Sequence, residues 1–262
     1  MTDYKALFLD IDGTILKLDH TYEESTKHAI LEAQSKGIQV FLATGRPLHE
    51  ISNLAEELNV DSFIGYNGAL AKYHGETIVD EPMSSNIVMD FVEIAKKHGH
   101  EIVLYTSEKN YFTSMDSPHV DLFIEKFQTK YNELFTTDVA DQILGATLIN
   151  LRPEEVELYE IDLSYHFSQV NVDGLRHCYD VIRDTVNKGE AVKKILHVMN
   201  IEKEAAIAFG DGMNDKEMLS AVGEGYAMGN ANPDLFAYGN RKTTAVTNSG
   251  IYNGLKTIGV VD

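Results

Sequence analysis

Along the first 80 residues, compact apolar runs alternate with amphipathic stretches, the pattern of β-α-β units that feed a mostly parallel sheet. Ala6-Leu7-Phe8-Leu9 reads as a buried strand. The segment from Glu23 to Lys36 carries Ala29, Ile30 and Ala33 on one helical face and stops at Gly37, a residue suited to the position just past a helix. A strand from Ile38 to Ala43 follows, and Pro47 suits a first helical turn, which predicts a helix to Leu58 closed by Asn59. Ser62 to Gly65 is the third predicted strand. The same style returns in the last 75 residues. There the pattern predicts a helix over Glu190 to Met199, a strand over Ala205 to Phe209, a helix over Asn214 to Ala221, and short strands at Gly225 to Met228 and Thr244 to Val246.

Residues 82–185 are patterned differently. A helix is predicted near Asn86 to Lys97, a strand over the alternating Ile102-Val103-Leu104-Tyr105, and further strand-like stretches at Ala146 to Leu151 and Val170 to Val172. The predicted fold is therefore α/β: a Rossmann-like, mostly parallel core from residues 1–81 and 186–262, with an inserted α+β cap domain over 82–185. Pro82 and the stretch Asp184-Thr185-Val186-Asn187 are the expected hinges. A chain of 262 residues accommodates one core and one sizeable insert. Neither an internal repeat nor a low-complexity tract interrupts this organisation.

Charge narrows the function. With 22 basic against 41 acidic residues, the formal net charge is −19, which repels nucleic-acid backbones and anionic membrane surfaces. A phosphorylated small molecule would be repelled too, unless Lys, Arg, backbone N–H groups or a metal supply positive charge locally. The single cysteine, Cys178, excludes a disulfide within one chain and a thiolate-only metal cluster, and suits a reducing cytoplasm. The opening Met1-Thr2-Asp3-Tyr4-Lys5 and the early Asp10 leave no signal-peptide core, and no apolar run reaches the ~18–20 residues of a membrane span. A cytoplasmic protein is expected, with monomer and homodimer both open.

The chemistry concentrates at predicted strand ends, where open α/β sheets present ligand sites. Asp10-Ile11-Asp12-Gly13-Thr14 follows the first strand directly. Alone, a pair of Asp residues before Gly is a turn. A second acidic cluster, Gly210-Asp211-Gly212-Met213-Asn214-Asp215, also follows an apolar strand and belongs at the same sheet edge; alone, it too could be an Asx turn capping a helix. Carboxylates converging on one edge need a counter-charge, and hard oxygen ligands with room for water and phosphate select Mg2+. Thr44-Gly45-Arg46 and Lys188-Gly189 add a hydroxyl, a closely approachable backbone N–H and positive charge suited to a phosphoryl group.

These pieces, in this order, resemble the haloacid dehalogenase superfamily, and within it the Cof-type phosphatases with a large cap between the second and third motifs. Phe8 to Thr14, Leu42 to Arg46, Lys188-Gly189 and Phe209 to Asp215 match the family pattern, as does Tyr66-Asn67-Gly68-Ala69. The stretch before Lys188 departs from it, lacking the proline common in relatives. The resemblance implies that Asp10 attacks phosphorus and that Asp12 protonates the leaving group and later deprotonates water. It further implies that Mg2+ is held by the Asp10 carboxylate, the Asp12 backbone carbonyl and Asp211, with Asp215 close by. Thr44, Gly45 and Lys188 would hold the phosphoryl oxygens, Arg46 would add charge for phosphate or substrate, and Asn214 would steady Lys188 or the phosphate.

The expected function is Mg-dependent hydrolysis of a small phosphorylated metabolite, a sugar phosphate or cofactor-precursor phosphate, through an aspartyl phosphate. A phosphomutase would use the same intermediate, but such relatives carry a small helical cap after the first motif. A non-catalytic phosphometabolite sensor would need neither a nucleophile nor a general acid. His98 and His100 sit at a predicted helix end where positive side chains favour the dipole, and Cys178 reads as a packed residue. The spacing of His119, His166 and His177 assigns them no role.

Overall fold

The computed structural model describes residues 3–262, so the opening Met1-Thr2 lies outside it. In chain order, β1 (Ala6–Asp10), α1 (Glu24–Ser35), β2 (Gln39–Ala43), α2 (Ser52–Glu57), β3 (Phe63–Gly65), β4 (Leu70–Tyr73) and β5 (Glu76–Asp80) come first. The inserted stretch supplies α3 (Ser85–His98), β6 (Glu101–Tyr105), β7 (Asn110–Phe112), α4 (Pro118–Phe127), β8 (Asn132–Leu134), β9 (Gly145–Ile149), β10 (Tyr165–Gln169) and β11 (Tyr179–Arg183). The chain then continues through α5 (Lys188–Val198), β12 (Ala206–Gly210), α6 (Lys216–Ser220), β13 (Glu224–Ala227), β14 (Arg241–Lys242) and α7 (Gly250–Thr257).

By its internal contacts the chain divides into two units. One holds the described residues up to Arg46 together with Ile51–Asp80 and Val186–Asp262; the other holds Pro47–Glu50 and Glu81–Thr185. In the first, among the described residues, an eight-stranded sheet runs β14-β13-β12-β1-β2-β3-β4-β5. It is parallel from β14 to β3 and antiparallel at β3/β4 and β4/β5. Ala6, Phe8, Phe41 and Ala43 pack on one face against Ala191, Val192 and Ile195 of α5 and Met218 and Leu219 of α6. Gly254 of α7 lies against the Phe209 ring, where a Cβ would collide. Burial on both faces explains the unbroken apolar runs of β1 and β12.

In the second unit, among the described residues, a six-stranded sheet runs β10-β11-β9-β6-β7-β8, antiparallel except at β7/β8. Ile102 and Leu104 face α3 through Val88, Phe91 and Ala95, whereas Val103 faces α4 through Val120 and Phe123. One strand thus feeds two cores by its period of two. The fold is Rossmann-like with an α+β insert, as expected from the sequence.

Three local expectations need correction, and one hairpin goes unannounced by the pattern. The helix predicted from Pro47 to Leu58 is a short 3-10 turn, Leu48–Glu50, followed by α2. Ile51 between them has non-helical geometry, Ser52 and Asn53 favour turns, and His49 Nε2 and Glu50 Oε1 bond the side chain of Asn110 at 3.1 and 3.3 Å. Val170–Val172 is a turn rather than a strand. Val170 donates to Cys178 O, and Leu175 closes back on Val172 O; the apolar character of Val170 serves the core from a loop. Thr244–Val246 lies past the short β14, bonded to Gly229 and to the Asn230 side chain instead of a ladder. Finally, the β4–β5 hairpin adds two strands that the hydrophobic pattern does not predict; it turns at His74-Gly75, both left-handed, the geometry that favours a two-residue hairpin turn. No helix among the described residues is long and apolar enough to cross a membrane.

Candidate active site

The parallel strands of the first unit end in loops that carry the motif residues. Asp10 is the last residue of β1; Thr44 follows β2, Tyr66 follows β3, and Asp211 follows β12. Lys188 opens α5, whose N-cap Asn187 accepts the Glu190 N–H through its side chain at 2.9 Å. The aliphatic stem of Lys188 is thereby rooted in a helix terminus.

The Lys188 ammonium is fully buried and donates to Asp10 Oδ1 at 2.6 Å and to Asp215 Oδ1 at 2.7 Å. The other oxygen of Asp215 accepts the backbone N–H groups of Asp211 and Gly212, both at 3.0 Å. Gly210 is required here, since a Cβ would collide with the Asp215 carboxylate. Asp211 accepts from Thr14 Oγ1 at 2.9 Å and, more loosely, from Asn230 Nδ2 at 3.4 Å. Arg46 pairs in bidentate fashion with Asp12, with Nε at 2.7 Å from Oδ2 and a second bond from the guanidinium to Oδ1.

One carboxylate oxygen from each of Asp10, Asp211 and Asp215 lies within 4.8 Å of the others. Burial, reinforced by Asp215 and Asp211, pushes the Asp10 carboxyl well above its ordinary range despite the opposing pull of Lys188. Asp211 is raised to about 6, chiefly by burial and also by Asp215, with the Thr14 hydrogen bond and Lys188 acting the other way. For Lys188, burial alone would lower the value; Asp10 and Asp215 outweigh it and hold the ammonium charged, above its ordinary range. Three carboxylates around one ammonium leave excess negative charge. The all-oxygen donor set fits a hard divalent cation, so this trio could bind a metal ion.

Of the residues singled out from sequence, Asp10, Lys188, Asp211 and Asp215 form one bonded cluster, and Asp12 and Arg46 form a pair. Thr44 Oγ1 accepts the Arg46 N–H at 3.0 Å, which shapes the turn around Gly45. Asn214 does not touch Lys188 by hydrogen bond: its Nδ2 donates to Asn67 Oδ1 at 3.0 Å. Two side chains to which the sequence assigns no role gain one from these contacts. Asn230 donates to Gly13 O at 2.8 Å as well as to Asp211, and Asn67 touches the second and fourth motif loops. The one available signal for Asn230 is its position after β13, at the same sheet edge. The Tyr66-Asn67-Gly68 turn has three successive positive φ values, 53°, 52° and 108°. For the two non-glycine residues such geometry costs roughly 1–3 kcal/mol each, offset here by the bonds Tyr66 N to Arg46 O and Asn67 N to Thr44 O.

The residues set aside from sequence stay outside the cluster. Buried His100 bonds Tyr159 and pairs with Glu155, His119 meets His177 ring to ring, and His166 pairs with Asp184. Burial, with Asp180 adding to it, pushes the Cys178 thiol up to about 12, so it is no nucleophile near neutral pH.

A parallel sheet whose strand ends gather Asp10, Lys188, Asp211 and Asp215 defines a class, and comparison with known proteins agrees with it. The chain belongs to the haloacid dehalogenase-like hydrolases, whose family model matches residues 7–255. Within them it is a phosphatase of the Cof type. It is 32% identical to the YkrA protein of Bacillus subtilis (strain 168), with 99% of each chain covered. It is 28% identical to the 5-amino-6-(5-phospho-D-ribitylamino)uracil phosphatase YitU of the same organism, with 95% of each covered. A crystal structure of a hypothetical protein from Geobacillus kaustophilus HTA426 superposes with a TM-score of 0.91 at 30% identity, covering 98% of this chain and 100% of that one.

Proposed function

We propose that the protein hydrolyses the phosphate monoester of a small metabolite, a sugar phosphate or a cofactor-precursor phosphate, with Asp10 as nucleophile and Mg2+ as cofactor. The observation that carries this reading is the Asp10 carboxylate at the end of β1, oriented by a 2.6 Å bond from a buried ammonium and flanked by Asp211. The relative YitU, named for a phosphorylated ribitylaminouracil, supports a substrate in which a phosphate sits on a polyol-like chain.

In this mechanism an Asp10 oxygen attacks phosphorus, the ester P–O bond breaks, and the departing alkoxide takes a proton from Asp12. Asp12 then accepts a proton from water as that water attacks phosphorus. The bond to Asp10 breaks, leaving inorganic phosphate and a regenerated carboxylate. Lys188 neutralises phosphoryl charge while fixing Asp10, and Thr44 and the Gly45 N–H hold phosphoryl oxygens. Arg46 holds the Asp12 carboxylate through its two hydrogen bonds. Asp10, the Asp12 carbonyl and Asp211 would hold Mg2+, which when bound supplies charge neutralisation for phosphoryl transfer. Asp215, occupied by Lys188 and two backbone N–H groups, orients the ammonium. The inserted residues 82–185 serve as the cap domain that sets specificity for the rest of the substrate.

Hydrolysis of an aryl phosphate with and without Mg2+, followed by a panel of sugar and nucleotide phosphates, tests this reading. Metal-dependent release that disappears in Asp10→Asn is expected. Turnover that persists in that variant removes Asp10 from the mechanism, and no release from any substrate, with Mg2+ bound, moves the mutase or sensor alternative forward.

A further inference from the structure

We infer that Asn67 is a phosphate-binding residue, donating from Nδ2 to the phosphoryl group beside the Gly45 N–H while Asn214 grips its Oδ1. This rests on the proposed phosphatase reading, in which Thr44 and Gly45 form the phosphate cradle. Three observations converge. First, the Asn67 side chain lies directly along Gly45: a Cβ on that glycine would stand 3.0 Å from Nδ2 and 3.1 Å from Oδ1. Second, Asn214 Nδ2 donates to Oδ1 at 3.0 Å, so the amide plane is fixed, and Nδ2 makes no hydrogen bond among the described residues. An amide nitrogen carries two donors, and here both remain for a ligand.

Third, the backbone that carries Asn67 is held in an unfavourable form. Tyr66 and Asn67 are both left-handed, and Gly68, with φ of 108°, backs onto the Asn187 carbonyl so closely that no Cβ fits. The turn is bonded to the second motif loop through Thr44 O and Arg46 O and touches the segment that opens α5. Strain of this kind persists where surrounding contacts over-determine it, and it collects at ligand sites. A turn needing only its backbone shape would be served by glycine at position 67, with no side chain aimed along Gly45.

The test uses two variants of the full chain with Mg2+. Asn67→Gly accepts the left-handed backbone and should keep its thermal midpoint within a few degrees of wild type. Asn67→Asp keeps the acceptor for Asn214 but replaces the donor by a negative oxygen. For an aryl phosphate, kcat/KM should fall about 10²-fold in Asn67→Gly and further in Asn67→Asp. Inhibition by inorganic phosphate should weaken at least about tenfold in both. Asn67→Asp within about threefold of wild type on both readouts would overturn the inference and leave Asn67 as an anchor for Asn214 alone, and so would unchanged phosphate inhibition in Asn67→Gly. A wild-type protein without metal-dependent hydrolysis is a separate outcome, which fails the underlying phosphatase reading.

Discussion

Replacing Lys188 by methionine removes a charge while keeping an unbranched stem, and the surroundings of that charge determine the cost. The ammonium is fully buried and is bonded at 2.6 and 2.7 Å to two carboxylates, with Asp211 close by. Without it, Asp10 and Asp215 are left as buried acids with no cation. Breaking a buried ion pair from one side costs about 3–5 kcal/mol. At about 2–4 °C per kcal/mol for a protein of this size, the thermal midpoint should drop by roughly 6–20 °C in metal-free buffer near pH 7.5. The pH dependence is the sharper check. Lys188 holds Asp10 down against burial and Asp215, so its loss raises the folded-state value of Asp10 further. An acid raised on folding contributes stability that is present below its unfolded value and is lost as pH climbs through the folded one. The deficit of Lys188→Met should therefore shrink toward about pH 5 and widen toward pH 7.5, measured by thermal scans in EDTA. A deficit under about 2 °C at pH 7.5, or one that does not change with pH, would refute the idea that the ammonium neutralises this cluster.

Three other outcomes are expected. Asp10→Asn should lose about 10⁴-fold or more in kcat, measured on an aryl phosphate, yet melt no lower than wild type in EDTA, because it deletes a carboxyl that burial and its neighbours disfavour. Asp211, raised to about 6 against an unfolded value near 4, contributes stability below about pH 4 that is lost as pH rises through about 6, a change of about 3 kcal/mol. A divalent cation favours the ionised form, so the rise in thermal midpoint on adding Mg2+ should be small near pH 5 and large near pH 7.5. Asn230→Ala releases the bonds to Asp211 and Gly13 O, together with the Val246 N–H bond to its Oδ1; calorimetric titration should show about 10–100-fold weaker Mg2+ binding.

The parts legible in the sequence are those with a strong local cause. Ala6–Leu9 and Ala206–Phe209 are buried on both faces and so read as unbroken apolar runs, and the acids placed after them stand out because a core would not take them unpaired. Elements chosen by tertiary packing are not legible. α7 contains Gly250 and Gly254, poor helix formers, and Gly254 is there to admit the Phe209 ring. β4 and β5 depend on a left-handed His74-Gly75 turn that the surrounding pattern does not announce. Val170 imitates a strand residue because it fills the core beside Cys178 from a turn. Asn67 and Asn230 carry neutral amides in loops, and only their partners reveal what they hold.

The grouping of Pro47–Glu50 with the inserted residues has a practical consequence for anyone building chimaeras. His49 and Glu50 are bonded to Asn110, so the insert's cohesion draws on a segment lying more than thirty positions before it in the chain. Transplanting residues 82–185 alone onto another phosphatase core would strip buried Asn110 of two partners and leave a foreign loop after the second motif. A faithful exchange must carry Pro47–Glu50 as a second, discontinuous graft, and the crossover points become four instead of two.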